Sequence, residues 1–513
     1  MLADSATGAR ILEALRARYR GVGPEEPIRR RLYLETVDRR LWARGMTLQF
    51  VEAKSQGRVV WSSIDEGNLR SVHCGRAPAF AVDFEAGPMR DALTEIVDVR
   101  RLLPVAEARP KHEEVALRDK QQKTIARAAV EEWKLPGKRR GTLALRLAPV
   151  RGYEKEYRGL VSFVREQLGG EDPAAQHPLA AFGLLDAALG APPPKLAVKL
   201  EAAARTDESA KRIFLALLAA IEANEAGTKD ALDAEFLHEF RVAVRRTRAA
   251  LSRFRNVYPV RTTQKFAREF KWLGNVTGPL RDLDVYLIKY DDLANHSGPE
   301  PLGEQLKPLH AHLEQHQMEE RAVLRRHLES ARYKRLLRDW RAFLEQPVPA
   351  RTTMADARRP IGEVARERIW KLHQRVLKRG RRIDDDTPAV AVHDLRLDCK
   401  KLRYMMEFCK SLFDDGAMRD HIRALKRLQE NLGDFNDLEV QQDKLRTMAV
   451  DMEAEGRAPL ETAMAMGRLV EALRERQDEE RRRFAARFTE FDSKKNRARA
   501  EALFRPRRGV SEE

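Results

Sequence analysis

The chain has 513 residues, 43% hydrophobic and 34% charged, with a formal net charge of +17. That size supports several domains with buried cores, and the apolar content excludes a disordered chain. The longest apolar run, residues 214–221, is too short to span a bilayer. The three cysteines, Cys74, Cys399 and Cys409, exclude a disulfide framework and a CxxC zinc site.

The opening twenty residues lack an apolar h-region, so the expectation is a cytoplasmic protein without secretory signal or membrane span. The excess of positive charge calls for a polyanionic partner or a membrane surface.

Residues 1–170 mix short alternating segments with turns. "RRRLYLETVD" (29–38), "MTLQFVEA" (46–53), "GRVVWSSID" (57–65) and "TLALRLAPVRGY" (142–153) read as strands, the last stopping at Pro149 and Gly152. "MRDALTEIVDVRRLL" (89–103) and "YRGLVSFVREQLG" (157–169) read as helices. The pattern is α+β with antiparallel strands. A linker follows over 171–206, stiffened by Pro192, Pro193 and Pro194.

From Asp207 to Arg505 the apolar period is helical, and about eight helices are expected. Turns are expected at "EAGTKD" (225–230), "VTGPLRD" (276–282), "DDDTPA" (384–389) and "LGDFND" (432–437). This half repeats itself at an offset of 155 residues. "HEFRVAVRRTR" (238–248) lies on "HDLRLDCKKLR" (393–403), and "KWLGNVTGPLRDLDV" (271–285) on "KRLQENLGDFNDLEV" (426–440). Two copies of a four-helix bundle follow, at 207–350 and 351–505, with a tail at 506–513.

Helix geometry concentrates the duplicated charge. At about 100° per residue, His238, Arg241, Arg245 and Arg248 fall in a stripe about 80° wide, flanking a core face of Phe240, Val244, Leu251 and Phe254. His393, Arg396, Lys400 and Arg403 repeat the stripe. Arg246 and Lys401 lie on the other flank. Acids are sparse on the stripe itself, and like charges at this spacing repel, so a ligand that supplies the missing negative charge is expected. Asp282 and Asp437 read as structural residues that cap backbone N–H groups or orient an arginine. No second metal ligand accompanies His238 or His393, so neither a metal nor a cofactor is expected. For both histidines, anion contact and a packing role stay open. A long cationic row suits a chain of phosphates. Base recognition would call for aromatic platforms, and only Tyr404 is near.

The H-x-x-R-x-x-x-[RK]-[RK]-x-R pattern in both copies, with "LGNVTGPLRDLDV" and "LGDFNDLEV", resembles the CHAD domain, the conserved-histidine α-helical domain, over about 207–505. The resemblance implies a duplicated helical fold that binds inorganic polyphosphate through basic residues, in several members at polyphosphate granules. Carried onto this chain, the binding positions are His238, Arg241, Arg245, Arg246, Arg248, Lys271 and Arg281, then His393, Arg396, Lys400, Lys401, Arg403, Lys426 and Arg427. "YLETVDRRLWARGMTL" (33–48) resembles a segment of CYTH domains, the triphosphate-tunnel fold. That family's ExExK strand is missing before Tyr33, and "QFVEAK" stands where Arg-x-Arg is usual. The paired carboxylates of its later strands are not recognisable. A degenerate, non-catalytic CYTH-like domain is therefore expected.

The leading expectation is a polyphosphate-binding, granule-associated protein, with other granule proteins as further partners and no specific nucleic acid. The alternatives are a metal-dependent triphosphatase with an appended CHAD module, and a scaffold that attracts nucleic acid nonspecifically. Oligomeric state stays open.

Overall fold

The computed structural model describes residues 5–19, 21–22, 28–53, 57–63, 69–110, 115–134, 142–167, 198–296, 302–384 and 386–506. It divides into two units, Met1–Pro193 and Pro194–Glu513. Among the described residues no helix is long and apolar enough to cross a membrane.

Among its described residues the first unit has an antiparallel sheet and three α-helices. Its elements are α1 (Ser5–Tyr19), β1 (Ile28–Glu35), β2 (Met46–Ala53), β3 (Gly57–Ser63), β4 (Leu69–His73), α2 (Pro88–Val97), β5 (Leu103–Pro110), β6 (Val115–Arg118), β7 (Thr124–Lys134), β8 (Thr142–Pro149) and α3 (Glu154–Gln167). The strand order is β4-β3-β2-β1-β5-β7-β6, with β8 paired to β7. Register shifts in β1 and β6 help curl the sheet into a half-barrel. α1 and α3 cover β6–β8 through Leu15, Val130 and Leu160, while α2 covers β1–β3 through Phe50, Val59 and Leu93. The curled antiparallel sheet is compatible with the CYTH-like expectation. The sequence reading carried the helix of residues 89–103 too far. It stops at Val97, where Asp98 takes a φ of 56°, and Leu103 already opens β5.

The triple proline lies outside the described residues. Of the expected linker only residues 198–206 are described, and these are folded: Val198 and Leu200 join the helical core, and the Leu200 amide donates to Ser411 Oγ at 2.9 Å.

The second unit contains α4 (Thr206–Lys229), α5 (Ala234–Arg253), α6 (Val260–Val276), α7 (Gly278–His296), α8 (Lys307–Glu329), α9 (Ala331–Glu345), α10 (Ile361–Gly380), α11 (Ala389–Phe408), α12 (Asp415–Ala454), α13 (Leu460–Phe491) and α14 (Lys494–Phe504). The repeat is visible in the boundaries. Shifted by 155 residues, α4 and α5 begin where α10 and α11 begin. Each copy also ends in a short extra helix, opened by Ser330 or Ser493, whose hydroxyl accepts from the amide three residues on. These helices, α9 and α14, were not separated in the sequence reading.

One helix is split in the first copy and continuous in the second. Proline at position 279 has no N–H to continue the α6 ladder, so α7 restarts after Thr277. The second copy has Asp434 at the matching position, and α12 runs through as 40 residues. The expected turn at "LGDFND" is therefore helix.

Equivalent residues meet across a pseudo-twofold axis. Thr206 N donates to Arg359 O at 3.0 Å, and its mate Ile361 N donates to Ala204 O at 2.9 Å. Tyr286 Oη donates to the carbonyl of its own equivalent, Gln441, at 3.0 Å. The core is shared: Phe214, Phe270 and Trp340 of the first copy and Leu395, Leu428 and Phe491 of the second belong to one apolar cluster.

Candidate polyanion-binding site

α5 and α11 bring the two stripes together. Arg245 Nε donates to the Tyr404 hydroxyl at 2.9 Å, and Arg246 Nη2 donates to Glu407 at 3.0 Å. The guanidinium of Arg245 is close enough to Lys400, its repeat equivalent, to oppose the lysine's charge. Burial, followed by Arg396 and Arg245, pulls the Lys400 amine down to about 8. Arg241 is also held below its ordinary range, by burial first and then by Arg245, Arg281 and Arg248 against the attraction of Asp282. The two stripes thus lie beside each other, one from each copy.

The copies neutralise their charge differently. In the first, Arg241 Nη1 donates to the Gly274 carbonyl at 3.0 Å and to Thr277 Oγ1 at 2.9 Å. The helix break at Pro279 leaves that carbonyl available, because no continuing helix claims it. A side chain at Gly274 would collide with the Arg248 guanidinium, whose Nη1 lies 2.9 Å from the place of a Cβ. Arg245 and Arg248 are exposed. Arg281 reaches the Ala234 carbonyl at 3.4 Å.

In the second copy carboxylates take the same roles. Arg396 pairs with Asp437 at 2.8 Å, Lys401 with buried Asp398 at 2.9 Å, and Arg427 with Glu490 at 2.7 Å. Arg403 stands 3.5 Å from Glu407. The expectation that acids are sparse on the stripe is corrected here: Asp437 and Glu407 both reach it, the first from 41 residues away in sequence and so invisible to a helical wheel. Asp437 has the arginine-orienting role expected of it, whereas Asp282 pairs with Lys444 and not with a cap.

Lys271 and Lys426 are exposed, and so is His393, whose Nδ1 lies 2.6 Å from Asn436 Oδ1. Asn436 is the repeat equivalent of Arg281, so the arginine has no cationic counterpart in the second copy. Arg427, Arg246 and Lys401 are drawn to acids and turn less charge outward than the rest. His238 lies with Glu235 and Glu239 in the first turns of α5, with one ligand atom of each within 4.8 Å of the others. The sequence reading saw no clustered carboxylates beside His238, although the i, i+3, i+4 spacing of these three residues carried the signal. It also passed over Gly274 and Thr277, and it noted Tyr404 as a nearby aromatic but not as the acceptor that positions Arg245.

Residues 212–446 match the CHAD domain family. The helical unit thus contains a CHAD domain, beginning within α4 and reaching into α12. Similar solved structures include the CHAD domain from the plant Ricinus communis, 28% identical, covering 61% of this chain and 97% of that one at a TM-score of 0.46. PptA from Streptomyces chartreusis is 16% identical and covers 56% of this chain and 99% of its own, at a TM-score of 0.45. Among curated proteins none matches the chain.

Proposed function

We propose that the helical unit binds inorganic polyphosphate on the surface formed by Arg241, Arg245, Arg248, Arg396, Lys400 and Arg403, and that the protein associates with polyphosphate granules through it. The observation that carries this reading is the convergence of cations from both copies at Lys400, where Arg396 and Arg245 add to burial in pulling the amine down to about 8. A polyanion removes that mutual repulsion on binding. The CHAD match supports the same ligand through the family's binding of polyphosphate. Neither aromatic residue near the stripe offers a base a stacking face. Tyr404 is buried, with its hydroxyl held by Arg245, and Trp272 is covered by Arg332 at 4.2 Å. This favours phosphate chains over nucleic acid.

In this reading the first unit is not catalytic. Of its described strand carboxylates, Glu131 faces Arg31 at 2.9 Å, Glu52 faces Arg30 and Glu107 faces Arg109, while Glu35 accepts from the backbone amides of Thr36, Leu41 and Trp42. A metal-dependent triphosphatase needs such carboxylates gathered around a cation. Phosphate release from triphosphate with Mg²⁺ or Mn²⁺ would overturn this part of the proposal.

The central test is binding of long-chain polyphosphate by the full chain and by the Arg241→Ala, Arg245→Ala, Arg396→Ala, Lys400→Ala variant. Tight binding that weakens steeply with salt is expected of the first and not of the second. Equal affinity of the two proteins would refute the site. Competition with single-stranded nucleic acid at fixed salt separates polyphosphate from a general polyanion preference, and a tagged copy in cells with and without polyphosphate tests granule association.

A further inference from the structure

A cleft of about 500 Å³ lies between α7, α8 and α12, lined among others by Asp282, His312, His316, Glu319, Glu320 and Asp451. On α8 the residues His312, His316, Glu319 and Glu320 fall within about 100° of arc, so one helix face presents two imidazoles and two carboxylates. The imidazoles are four residues apart, the spacing at which two histidines on one helix reach the same metal ion.

The polar accounting at this face is incomplete. His312 is only 4% exposed, and its Nδ1 makes no hydrogen bond; neither does the buried Nδ1 of His316. The two rings are T-shaped with centroids 4.1 Å apart. Glu455 Oε2 lies 3.8 Å from His312 Nδ1, and Glu319 Oε2 lies 3.7 Å from His316 Nδ1. Those separations are too long for hydrogen bonds. They are a few tenths of an ångström above the spacing of about 3.3 Å between two ligand atoms on one tetrahedral ion with bonds of about 2.0–2.1 Å.

The second copy shows that the fold does not demand these histidines. On this helix pair the offset is 160 residues, which lays buried Leu309, Leu313, Leu324 and Leu328 on buried Leu469, Leu473, Phe484 and Phe488, so the equivalents of His312 and His316 are Ala472 and Arg476. A matching cleft of about 510 Å³ is lined there by Lys289, Asp434, Asp437, Arg476 and Glu479, with no imidazole.

We propose that His312 and His316 anchor a site for a late first-row divalent metal ion, with Glu319 as the third protein ligand. Two imidazoles and one carboxylate suit Zn²⁺, Co²⁺ or Ni²⁺ rather than Mg²⁺ or Ca²⁺. Among the described residues, only Glu235, His238 and Glu239 bring three ligand atoms within 4.8 Å of one another, so the Glu319 side chain must turn to complete the site. It is exposed, and turning exchanges its hydrogen bond from Gln315 Nε2, 3.0 Å long, for the metal.

The experiment is titration of the untagged full chain with Zn²⁺, with Co²⁺ as the spectroscopic probe. One ion per chain with micromolar affinity is expected, together with a rise in melting temperature and the ligand-field absorption of Co²⁺ bound to nitrogen. His316→Gln and Glu319→Gln should each weaken binding about tenfold or more. Both residues are at least partly exposed, so these variants remain informative even if His312→Gln misfolds. His238→Gln should leave the affinity unchanged. Binding that survives His316→Gln, that is lost in His238→Gln, or that never saturates would overturn the assignment.

Discussion

The two copies of the helical repeat place their cations on the same helix faces yet hold them by different means. The first copy gives Arg241 and Arg245 neutral acceptors, a carbonyl, a threonine hydroxyl and a tyrosine hydroxyl. The second ties Arg396, Lys401 and Arg427 to carboxylates. An acid beside an arginine must be displaced or outcompeted by a phosphate, whereas a neutral acceptor fixes the guanidinium and leaves its charge intact. Duplication thus preserved charge sign while the supply of positive potential became unequal.

Core substitutions give the largest expected effects and test whether the copies are one folding unit. Phe270 and its equivalent Leu425 are fully buried in the shared cluster. Phe270→Ala should cost about 3–5 kcal/mol and Leu425→Ala about 2–5 kcal/mol in denaturant unfolding. The helical unit should still unfold in one transition. Separate transitions for its two halves would break the picture of a shared core.

The next effect separates bare from neutralised cations. Replacing Arg241, Arg245 and Lys400 together by Ala should lower polyphosphate affinity about a hundredfold at low salt and flatten the salt dependence. Replacing Arg246, Lys401 and Arg427 by Ala should cost about threefold or less. Similar losses in both sets would erase the proposed inequality. A smaller change sharpens it: Asp437→Asn frees Arg396 and should raise affinity about two- to fivefold. Tyr404→Phe removes the acceptor of Arg245 at a cost of about 1 kcal/mol in stability, with little change in binding.

Proton linkage gives the finest test. Lys400 in the free protein has its amine lowered to about 8. Bound phosphate favours the charged form and raises that value. Above about pH 8, binding must therefore take up a proton, and affinity should fall as pH rises. The sign reverses for folding. The unfolded lysine titrates near 10.4 and binds more protons between these values, so stability rises with pH there. Isothermal titration in buffers of different ionisation enthalpy reads the proton count, and Lys400→Arg should abolish the pH dependence of binding.

Much of the helical half was legible because its signals are local or periodic. The 155-residue offset reproduces the starts of α4, α5, α10 and α11. The stripe of His238, Arg241, Arg245 and Arg248 needs only helix geometry. What escaped depends on the third dimension. Asp437 reaches Arg396 from another helix, and Tyr404 meets Arg245 across the pseudo-twofold axis. The effect of Pro279 was half visible: a proline predicts a break, but "LGDFND", also expected as a turn, lacks the proline that makes the break. In the first unit β5 and β7 went unread, since β7 is buried over a run without clean alternation and β5 follows a helical pattern directly.

The paired bonds at Thr206–Arg359 and Ile361–Ala204 stitch the start of each copy onto the other. A protease that nicks the exposed segment between α9 and α10 should not release two independent half-proteins. The fragments should stay associated and reassemble after mixing, as complementary subunits of a heterodimer.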